Sequence, residues 1–170
     1  MKVLDKLLFY IFSLLIDDIF ALKKIYNTKV GENCRLNKNK YGEEPFLISF
    51  GDNVSAINVD FITHDGAVWL WRNKNPKLDL FKSIKIESNI FIGHRSIILP
   101  GTHICSNVII GAGSVVKGEI KENQVYAGVP ARPICSIEDY FEKNEKYFHN
   151  TKLMTYKNKK KYLNKNKKYI

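Results

Sequence analysis

An aliphatic residue recurs at every sixth position from Ile86 to Val116, and this period restricts the possible folds more than any other feature. An amphipathic helix repeats its apolar positions about every 3.6 residues and a half-buried strand about every two, so neither element explains the pattern. The second position of each six-residue unit is often glycine, and the fifth is small or aliphatic. Residues 30–35 and 50–55 follow the pattern more loosely. The chain is therefore expected to build its core from stacked repeats.

These units predict an all-β fold, a parallel β-helix shaped as a prism with three flat faces. Each unit supplies one short strand and one corner, so three units complete a coil. The first-position aliphatic points into the prism and stacks on its equivalent in the next coil, and β-branched residues favour the strands. Glycine, asparagine and aspartate suit the corners because they tolerate the backbone angles of tight turns.

The segment IIGAGSVVKGEIKENQVYAGVPARPI, residues 109–134, resembles the last coil and the following loop of the hexapeptide-repeat acyltransferases. The resemblance extends from about Val30 to Ile134. It implies left-handed coils, a homotrimer with active sites between subunits, and acetyl-CoA as the co-substrate without a metal. Handedness and oligomeric state are implied by the resemblance and not by the period.

A chain of 170 residues has room for one domain. We expect an N-terminal amphipathic helical segment at 1–29, the β-helix at 30–134 with an excursion loop at 61–83, a C-terminal helix at 135–150 and a lysine-rich tail at 151–170. Ser136 is expected to cap the C-terminal helix, with Asp139 reaching back. That helix would cover the open end of the prism, whose strand edge is otherwise exposed.

Residues 7–16 form an apolar run of ten residues, whereas a membrane-spanning helix needs about 20. Asp17 and Asp18 end the run and no small-residue cleavage site follows, so neither a transmembrane segment nor a signal peptide is indicated. An amphipathic helix over residues 3–24 fits better. It is expected to cap the core or pack between subunits, and the alternative is peripheral contact with a membrane surface.

The formal net charge of +10 is concentrated in the tail, where eight lysines and no acidic residue follow residue 150. The body is nearly neutral and has no basic stripe interleaved with aromatics, which argues against nucleic-acid binding. A like-charged tail is typical of a disordered, solvated segment, and attraction to acidic lipid or a phosphorylated substrate is the alternative. Three cysteines without a CxxC pair favour reduced thiols in a cytoplasmic protein, with the inner membrane face as a further location.

The six-residue period fails between Asn58 and Ile84, and this excursion contains FITHDG at 61–66. Transfer from a thioester to a hydroxyl needs a base, and neutral imidazole suits that task. FITHDG followed by a tryptophan-containing loop resembles the sugar O-acetyltransferases of bacterial surface polysaccharides, which implies that His64 is the general base. The residue expected to orient it is Asp65; the alternatives are Asp60, Asp52 or a backbone carbonyl.

Trp69, Trp71 and Arg72 are expected to line the acceptor pocket, where indole faces meet sugar C–H edges. The alternative is that they pack the loop against the prism. The expected reaction is direct transfer from acetyl-CoA to a sugar hydroxyl of a surface polysaccharide or its precursor. Other acceptors are serine, an amino sugar or an antibiotic, and the non-enzymatic alternative is a catalytically silent assembly or binding module.

The resemblance places acetyl-CoA in the groove between neighbouring prisms, along the last coils. The residues expected to contact it are His94, Gly111, Ala112, Gly113, Lys117, Ala127, Gly128 and Arg132. Glycine lets the pantetheine arm approach the backbone, and Lys117 and Arg132 would meet the phosphates. Many relatives read Thr-Lys where this chain reads Lys117-Gly118, so the sequence departs from the family pattern at the expected phosphate partner.

His94 and His103 are the rival candidates for the base. They are nine residues apart, one and a half units, and are therefore expected on different faces of the prism. The same spacing argues against a zinc site of three converging histidines, as in the γ-class carbonic anhydrases, and no metal is expected.

Overall fold

Three largely parallel sheets form the walls of a triangular prism in the computed structural model, which describes residues 17–166. The strands are β1 (Lys29–Val30), β2 (Arg35–Asn37), β3 (Ile48–Phe50), β4 (Val54–Ile57), β5 (Asp60–Phe61), β6 (Ile84–Ile86), β7 (Ile90–Ile92), β8 (Ile97–Ile98), β9 (His103–Ile104), β10 (Val108–Ile110), β11 (Val115–Val116), β12 (Glu119–Ile120), β13 (Gln124–Gly128) and β14 (Ala131–Ser136). Face A has the order β1-β3-β6-β9-β12, face B the order β14-β13-β10-β7-β4-β2, and face C the order β11-β8-β5. The chain passes through faces A, B and C in turn, so the parallel strands pair one full coil apart.

The strand register follows the six-residue unit. Ile90 pairs with Val108, 18 positions on, which is three units. Lys29 pairs with Ser49, 20 positions on, because the first coil has two extra residues. Val54 pairs with Ile90, 36 positions on, because the excursion is inserted into the second coil. The prism therefore keeps its register on both sides of the excursion.

The aliphatic residues at six-residue spacing form the interior of the prism. Their side chains are at most 2% exposed: Ile86, Ile92, Ile98, Ile104, Ile110 and Val116. Burying each one contributes roughly 1.5–3 kcal/mol relative to leaving it in water. Ser96 and Ser114 occupy the fifth position and are fully buried, and their hydroxyls donate to the carbonyl oxygens of Gly93 and Gly111. The predicted inward stacking is confirmed.

The corner between faces A and B carries a ladder of asparagines. Its members are Asn33, Asn53, Asn89, Asn107 and Asn123, all with φ between 53° and 59°. Each side-chain NH₂ group donates to the side-chain oxygen of the asparagine in the next coil, at 2.9–3.1 Å. Asparagine suits this position because it tolerates the left-handed region better than most residues with a side chain. The ladder links five successive coils.

Helix α1 (Asp18–Lys24) packs over the first coil, against β1 and β2. Its Leu22 is 1% exposed and belongs to the core. The Asp18 carboxylate accepts hydrogen bonds from the backbone N–H of Asn39 and the hydroxyl of Tyr41, and burial raises its pKa. The first part of the expected helix lies outside the described residues. Among residues 17–166, no helix is long and apolar enough to cross a membrane.

The last coil is covered by a strand, and the prediction that a helix covers it is wrong. Strand β14 pairs antiparallel with β13, and Gly128, with φ 104°, allows the tight reversal between them. Helix α2 (Ile137–Asn144) follows and lies beside these two strands. It begins with the predicted capping box, because Ser136 Oγ accepts from the Asp139 N–H at 2.9 Å and Asp139 Oδ2 from the Ser136 N–H at 3.3 Å.

The lysine-rich tail is helical over α3 (Tyr156–Lys165), so the expected disorder is wrong for this part. The Thr155 hydroxyl accepts from the Asn158 N–H and caps the helix. The Tyr162 ring stands edge-on to His149, with centroids 5.7 Å apart. A cap and one packed side outweigh the mutual repulsion of exposed lysines. Residues 167–170 lie outside the described part.

Gly93 lies at a corner where the next coil stacks directly on it. A β-carbon there would meet the backbone of Ala112, with the Cα of that residue 2.7 Å away. We expect Gly93→Ala to lower the free energy of unfolding by about 3 kcal/mol in urea denaturation. Gly66→Ala is the control, since the space around Gly66 is open, and it should stay within about 0.5 kcal/mol of the parent. Equal stability of the two variants would contradict the stacking.

Candidate active site

His64 lies at the corner between faces C and A, shortly after β5. Its Nδ1 is 3.1 Å from Glu44 Oε2, and its ring stands edge-on to Phe81. The imidazole is 47% exposed, whereas the Glu44 side chain is 16% exposed. With Nδ1–H donating to the carboxylate, Nε2 carries the lone pair, which is the arrangement that a general base needs.

Sequence reasoning missed Glu44. It lies between β2 and β3, in the segment that makes the first coil two residues longer than the regular repeat. This segment reaches the corner where the excursion begins. Glu44 Oε2 also accepts a hydrogen bond from Thr63 Oγ1 at 2.8 Å, so the same oxygen is held by two neighbouring residues. The irregular length of the first coil is the signal that could have pointed to this segment.

Asp65, the residue expected to orient His64, points elsewhere. Its Oδ1 accepts a hydrogen bond from the Ala67 N–H at 2.9 Å and so caps the 3-10 helix Gly66–Trp71. Adjacent residues in extended chain point in opposite directions, which keeps this carboxylate from the imidazole beside it. Glu44 therefore replaces Asp65 as the carboxylate partner of His64.

The two ends of the excursion are joined by a short antiparallel pairing. His64 forms a bridge with Phe81, and the backbone N–H of Lys82 donates to the carbonyl of Thr63 at 2.9 Å. The loop between them therefore leaves and re-enters the prism at nearly the same point, and His64 stands at its base.

The predicted acceptor residues lie on the outer part of the excursion. Trp69 is 72% exposed, Leu70 72% and Trp71 54%. They do not pin the loop to the prism, which was the alternative. Arg72 closes the loop on itself, because its guanidinium lies 2.6 Å from Asp79 Oδ1. The Arg72 side chain therefore stabilises the loop through Asp79, whereas the exposed rings of Trp69 and Trp71 can contact another molecule.

The predicted acetyl-CoA contacts, apart from Lys117, gather at one corner between faces B and C. The corner contains His94 in one coil, Gly111–Gly113 in the next, and Ala127–Gly128 in the last, with Arg132 opposite Ala127 in β14. The Gly113 N–H donates to the His94 carbonyl oxygen at 2.9 Å and so links the coil of His94 to the next coil. The Gly128 N–H donates to Ser114 Oγ at 3.2 Å and so links that coil to the last one.

Gly111 and Gly113 are glycines for different reasons. A β-carbon on Gly111 would lie 2.8 Å from that of Ala127, so close stacking of the coils requires glycine there. Gly113 has φ 70° and open space around it. Of these two glycines, Gly113 is the one that combines a need for glycine with room for a ligand beside the backbone.

Lys117 lies at the other edge of face C, on the same corner as His64 and two coils away. The Ile62 N–H donates to the carbonyl oxygen of Ile98, and the Leu99 N–H donates to that of Val116. These bonds align the ends of the three strands of face C at this corner. From the rise and spacing of strands, the glycine corner and His64 are separated by roughly 15–20 Å across face C. One chain does not bring these two groups together in a single pocket.

His103 is held by a short polar contact with Glu87 on face A and is poorly placed to serve the excursion. Its Nε2 lies 2.8 Å from Glu87 Oε1. Hydrogen bonds from Lys85, His103 and Ser106 lower the pKa of the Glu87 carboxyl to about 2. His94 lies at the glycine corner. Of these three histidines, His64 is the one that the fold presents at the base of the excursion.

Residues 83–118 match the family model described as bacterial transferase hexapeptide (six repeats). Protein CapG of Staphylococcus aureus is 45% identical over 139 residues, covering 79% of this chain and 81% of that protein. A maltose O-acetyltransferase from Clostridium difficile 630 has a similar structure, with a TM-score of 0.59 and 27% identity, covering 77% of this chain and 83% of that one. A galactoside acetyltransferase in complex with coenzyme A gives a TM-score of 0.52 and 29% identity, covering 79% and 76%.

The stacked coils and these structural similarities define a β-helix transferase, and the fold of the relatives implies left-handed winding. The chain belongs to the hexapeptide-repeat acyltransferases, within the part related to sugar O-acetyltransferases. It is an acyltransferase whose co-substrate is acetyl-CoA.

Replacing Glu44 with glutamine tests the histidine–carboxylate pair. If His64 acts as the base, the negative charge of Glu44 stabilises the imidazolium that forms, and a neutral amide does this less well. We expect Glu44→Gln to lower kcat about 10- to 100-fold, with KM for acetyl-CoA unchanged, in a thiol-release assay. Glu43→Gln is the matched control on the exposed neighbour and should keep the parent rate. Equal rates for the two variants would remove Glu44 from the mechanism.

Proposed function

We propose that this chain transfers an acetyl group directly from acetyl-CoA to a sugar hydroxyl of a bacterial surface polysaccharide or its precursor. His64 Nε2 takes the hydroxyl proton as the sugar oxygen attacks the thioester carbonyl. The C–S bond of the tetrahedral intermediate then breaks, and the imidazolium gives its proton to the departing CoA thiolate. The observation that carries the proposal is the His64–Glu44 pair at 3.1 Å, at the base of the excursion.

A carbohydrate acceptor is supported by the exposed outer part of the excursion. Indole rings present flat apolar faces that suit the C–H edges of a sugar ring, and Trp69 and Trp71 are both more than half exposed. A loop open to solvent can admit a segment of a long chain, whereas a serine or antibiotic site needs a closed pocket of matching size. The maltose and galactoside enzymes among the relatives are consistent with this acceptor class.

An active site shared between copies of the chain in a homotrimer explains the separation of its parts. His64 and the glycine corner lie at opposite edges of face C, and each is open to solvent. The excursion exposes Trp69, Leu70 and Trp71 together, a patch of the kind that marks contact with a ligand or another subunit. In a closed ring of three copies, the His64 corner of one copy can face the glycine corner of the next.

The first test is thiol release from acetyl-CoA by the purified protein, measured against free sugars, nucleotide sugars, polysaccharide fragments, serine and amino sugars. Turnover with a sugar hydroxyl and an ester-linked product supports the proposal. Turnover with serine or an amino group alone would reject the sugar acceptor. If the protein shows no turnover and does not bind acetyl-CoA, the proposal is rejected in favour of a catalytically silent assembly or binding module.

Mixing two variants that are each nearly inactive at an acetyl-CoA concentration near the parent KM tests whether the site is shared. Subunits with His64→Ala are combined with subunits carrying Ala112→Trp at the glycine corner, by refolding or co-expression. If each site takes one part from each of two copies, random mixing restores about a quarter of the sites. If each chain carries a complete site, the mixture stays inactive, and the shared-site proposal is rejected.

A further inference from the structure

From the third coil onwards, glycine is missing from one stacked position on the corner between faces A and B. The second position of the unit is Gly31 in the first coil and Gly51 in the second, where a β-carbon would meet the backbone of the next coil. The three following coils carry Glu87, Cys105 and Lys121 at this position. Glu87 and Cys105 each carry a group that can bind a metal. Glu87 Oε2 also accepts hydrogen bonds from the backbone N–H and the hydroxyl of Ser106, so its carboxylate is held in place.

Glu87 and Cys105 converge with His103. Strands β6 and β9 pair with Lys85 opposite His103, so Glu87 and Cys105 follow on adjacent strands, two residues later. His103 Nε2 is 2.8 Å from Glu87 Oε1, and one ligand atom from each of Glu87, His103 and Cys105 lies within 4.8 Å of the other two. All three side chains are half-buried.

We propose that Glu87, His103 and Cys105 bind a divalent cation of the zinc type. Carboxylate oxygen, imidazole nitrogen and thiolate sulfur are the three ligand types that Zn²⁺ takes in proteins, and three protein ligands leave a fourth position for water. Tetrahedral Zn²⁺ needs ligand atoms about 3.3–3.5 Å apart. The 2.8 Å distance between His103 Nε2 and Glu87 Oε1 would therefore lengthen slightly on binding. On binding, the Cys105 thiol gives its proton to solvent and the sulfur bonds to the metal.

Lys85 sets the strength of this site. Its ammonium lies 2.9 Å from Glu87 Oε1, but the side chain is 59% exposed and can swing into water. A cation must displace it, because two positive charges on one carboxylate oxygen repel each other. Removing the Lys85 charge therefore strengthens metal binding. In a cluster held only by hydrogen bonds, the same change removes a partner of Glu87 and gives no metal affinity.

The site is separate from the proposed transfer reaction. His64 lies at the corner between faces C and A, whereas the three ligands lie at the A–B end of face A. A bound cation would join β6 to β9 and tie the third coil to the fourth. It also differs from the histidine trio that the spacing of His94 and His103 argues against.

Cobalt is the probe that reports both binding and sulfur ligation. The full chain is freed of metal with chelator, kept reduced with a phosphine and titrated with Co²⁺, followed by back-titration with Zn²⁺. We expect one equivalent of Co²⁺ to give a thiolate charge-transfer band in the near ultraviolet, and Zn²⁺ to abolish it. Cys105→Ser should remove the band, His103→Gln should weaken Co²⁺ binding at least tenfold, and Lys85→Gln should tighten it several-fold.

Cys135→Ser is the matched control, because Cys135 lies in β14 on another face, and it should keep the band. Circular dichroism and melting of the metal-free variants check that each one folds. The proposal is rejected if the folded parent gives no thiolate band. It is also rejected if the band survives Cys105→Ser, or if Lys85→Gln weakens the affinity for Co²⁺.

Discussion

Replacing His64 with alanine is expected to lower kcat by about two to four decades, while KM for acetyl-CoA stays within about twofold. The change removes the proposed proton acceptor at the base of the excursion and leaves the glycine corner untouched. Glu44 and Thr63, which face His64, remain in place and keep their own hydrogen bond. The measurement is steady-state thiol release at a saturating concentration of the best acceptor, with acetyl-CoA varied.

Asp65→Asn is the comparison that makes this result specific. The asparagine oxygen can still accept the hydrogen bond from the Ala67 N–H, so the 3-10 helix keeps its cap. We expect its kcat within about threefold of the parent. A loss as large as that of His64→Ala would return Asp65 to the role of orienting carboxylate. Full activity of His64→Ala would leave the acyltransferase assignment intact and move the base to another residue.

Placing tryptophan at Ala112 is expected to raise KM for acetyl-CoA by about a hundredfold, equivalent to about 2.7 kcal/mol of binding free energy. Ala112 is exposed, between the stacked Gly111 and the open Gly113. An indole at this position fills the space beside the backbone that the pantetheine arm would use. Direct binding of CoA by isothermal calorimetry, together with the KM, checks the prediction.

Glu122→Trp is the control for adding an exposed indole elsewhere on the prism. Glu122 is exposed and precedes Asn123 at the corner between faces A and B, away from the glycine corner. Its KM for acetyl-CoA should equal that of the parent. If Ala112→Trp binds CoA as tightly as this control, the donor lies elsewhere. Melting temperatures of both variants separate lost binding from lost folding.

The prism could be predicted from the sequence because each stacked position constrains the same residue type. One shared interior receives the side chains of Ile86, Ile92, Ile98 and Ile104, so every unit needs a buried aliphatic residue at its first position. The glycine corner could be predicted for the same reason, since close stacking excludes a β-carbon at Gly111. A physical requirement that recurs at fixed spacing leaves a pattern in the chain.

Single contacts between irregular segments leave no such pattern. Glu44 meets His64 across 20 positions because two loops leave the same corner of adjacent coils, and only the three-dimensional stack brings them together. Proximity in sequence favoured Asp65 instead, although backbone geometry turns that side chain away. Helix α3 was not predicted because the prediction rested only on the charge of its lysines. The Thr155 cap and the contact of Tyr162 with His149 are seen only in the structure.

The pairing of His64 with Phe81 has a consequence for how such enzymes diversify. Because the excursion starts and ends at nearly the same point, strands β4 and β7 align without regard to what lies between them. Closing a longer loop costs only about 0.6 kcal/mol for each doubling of its length. This corner can therefore accept new inserts during evolution while the coils and the donor site stay unchanged. If the excursion binds the acceptor as proposed, exchanging residues 65–80 with the equivalent segment of a relative would change the acceptor preference and leave the coils unchanged.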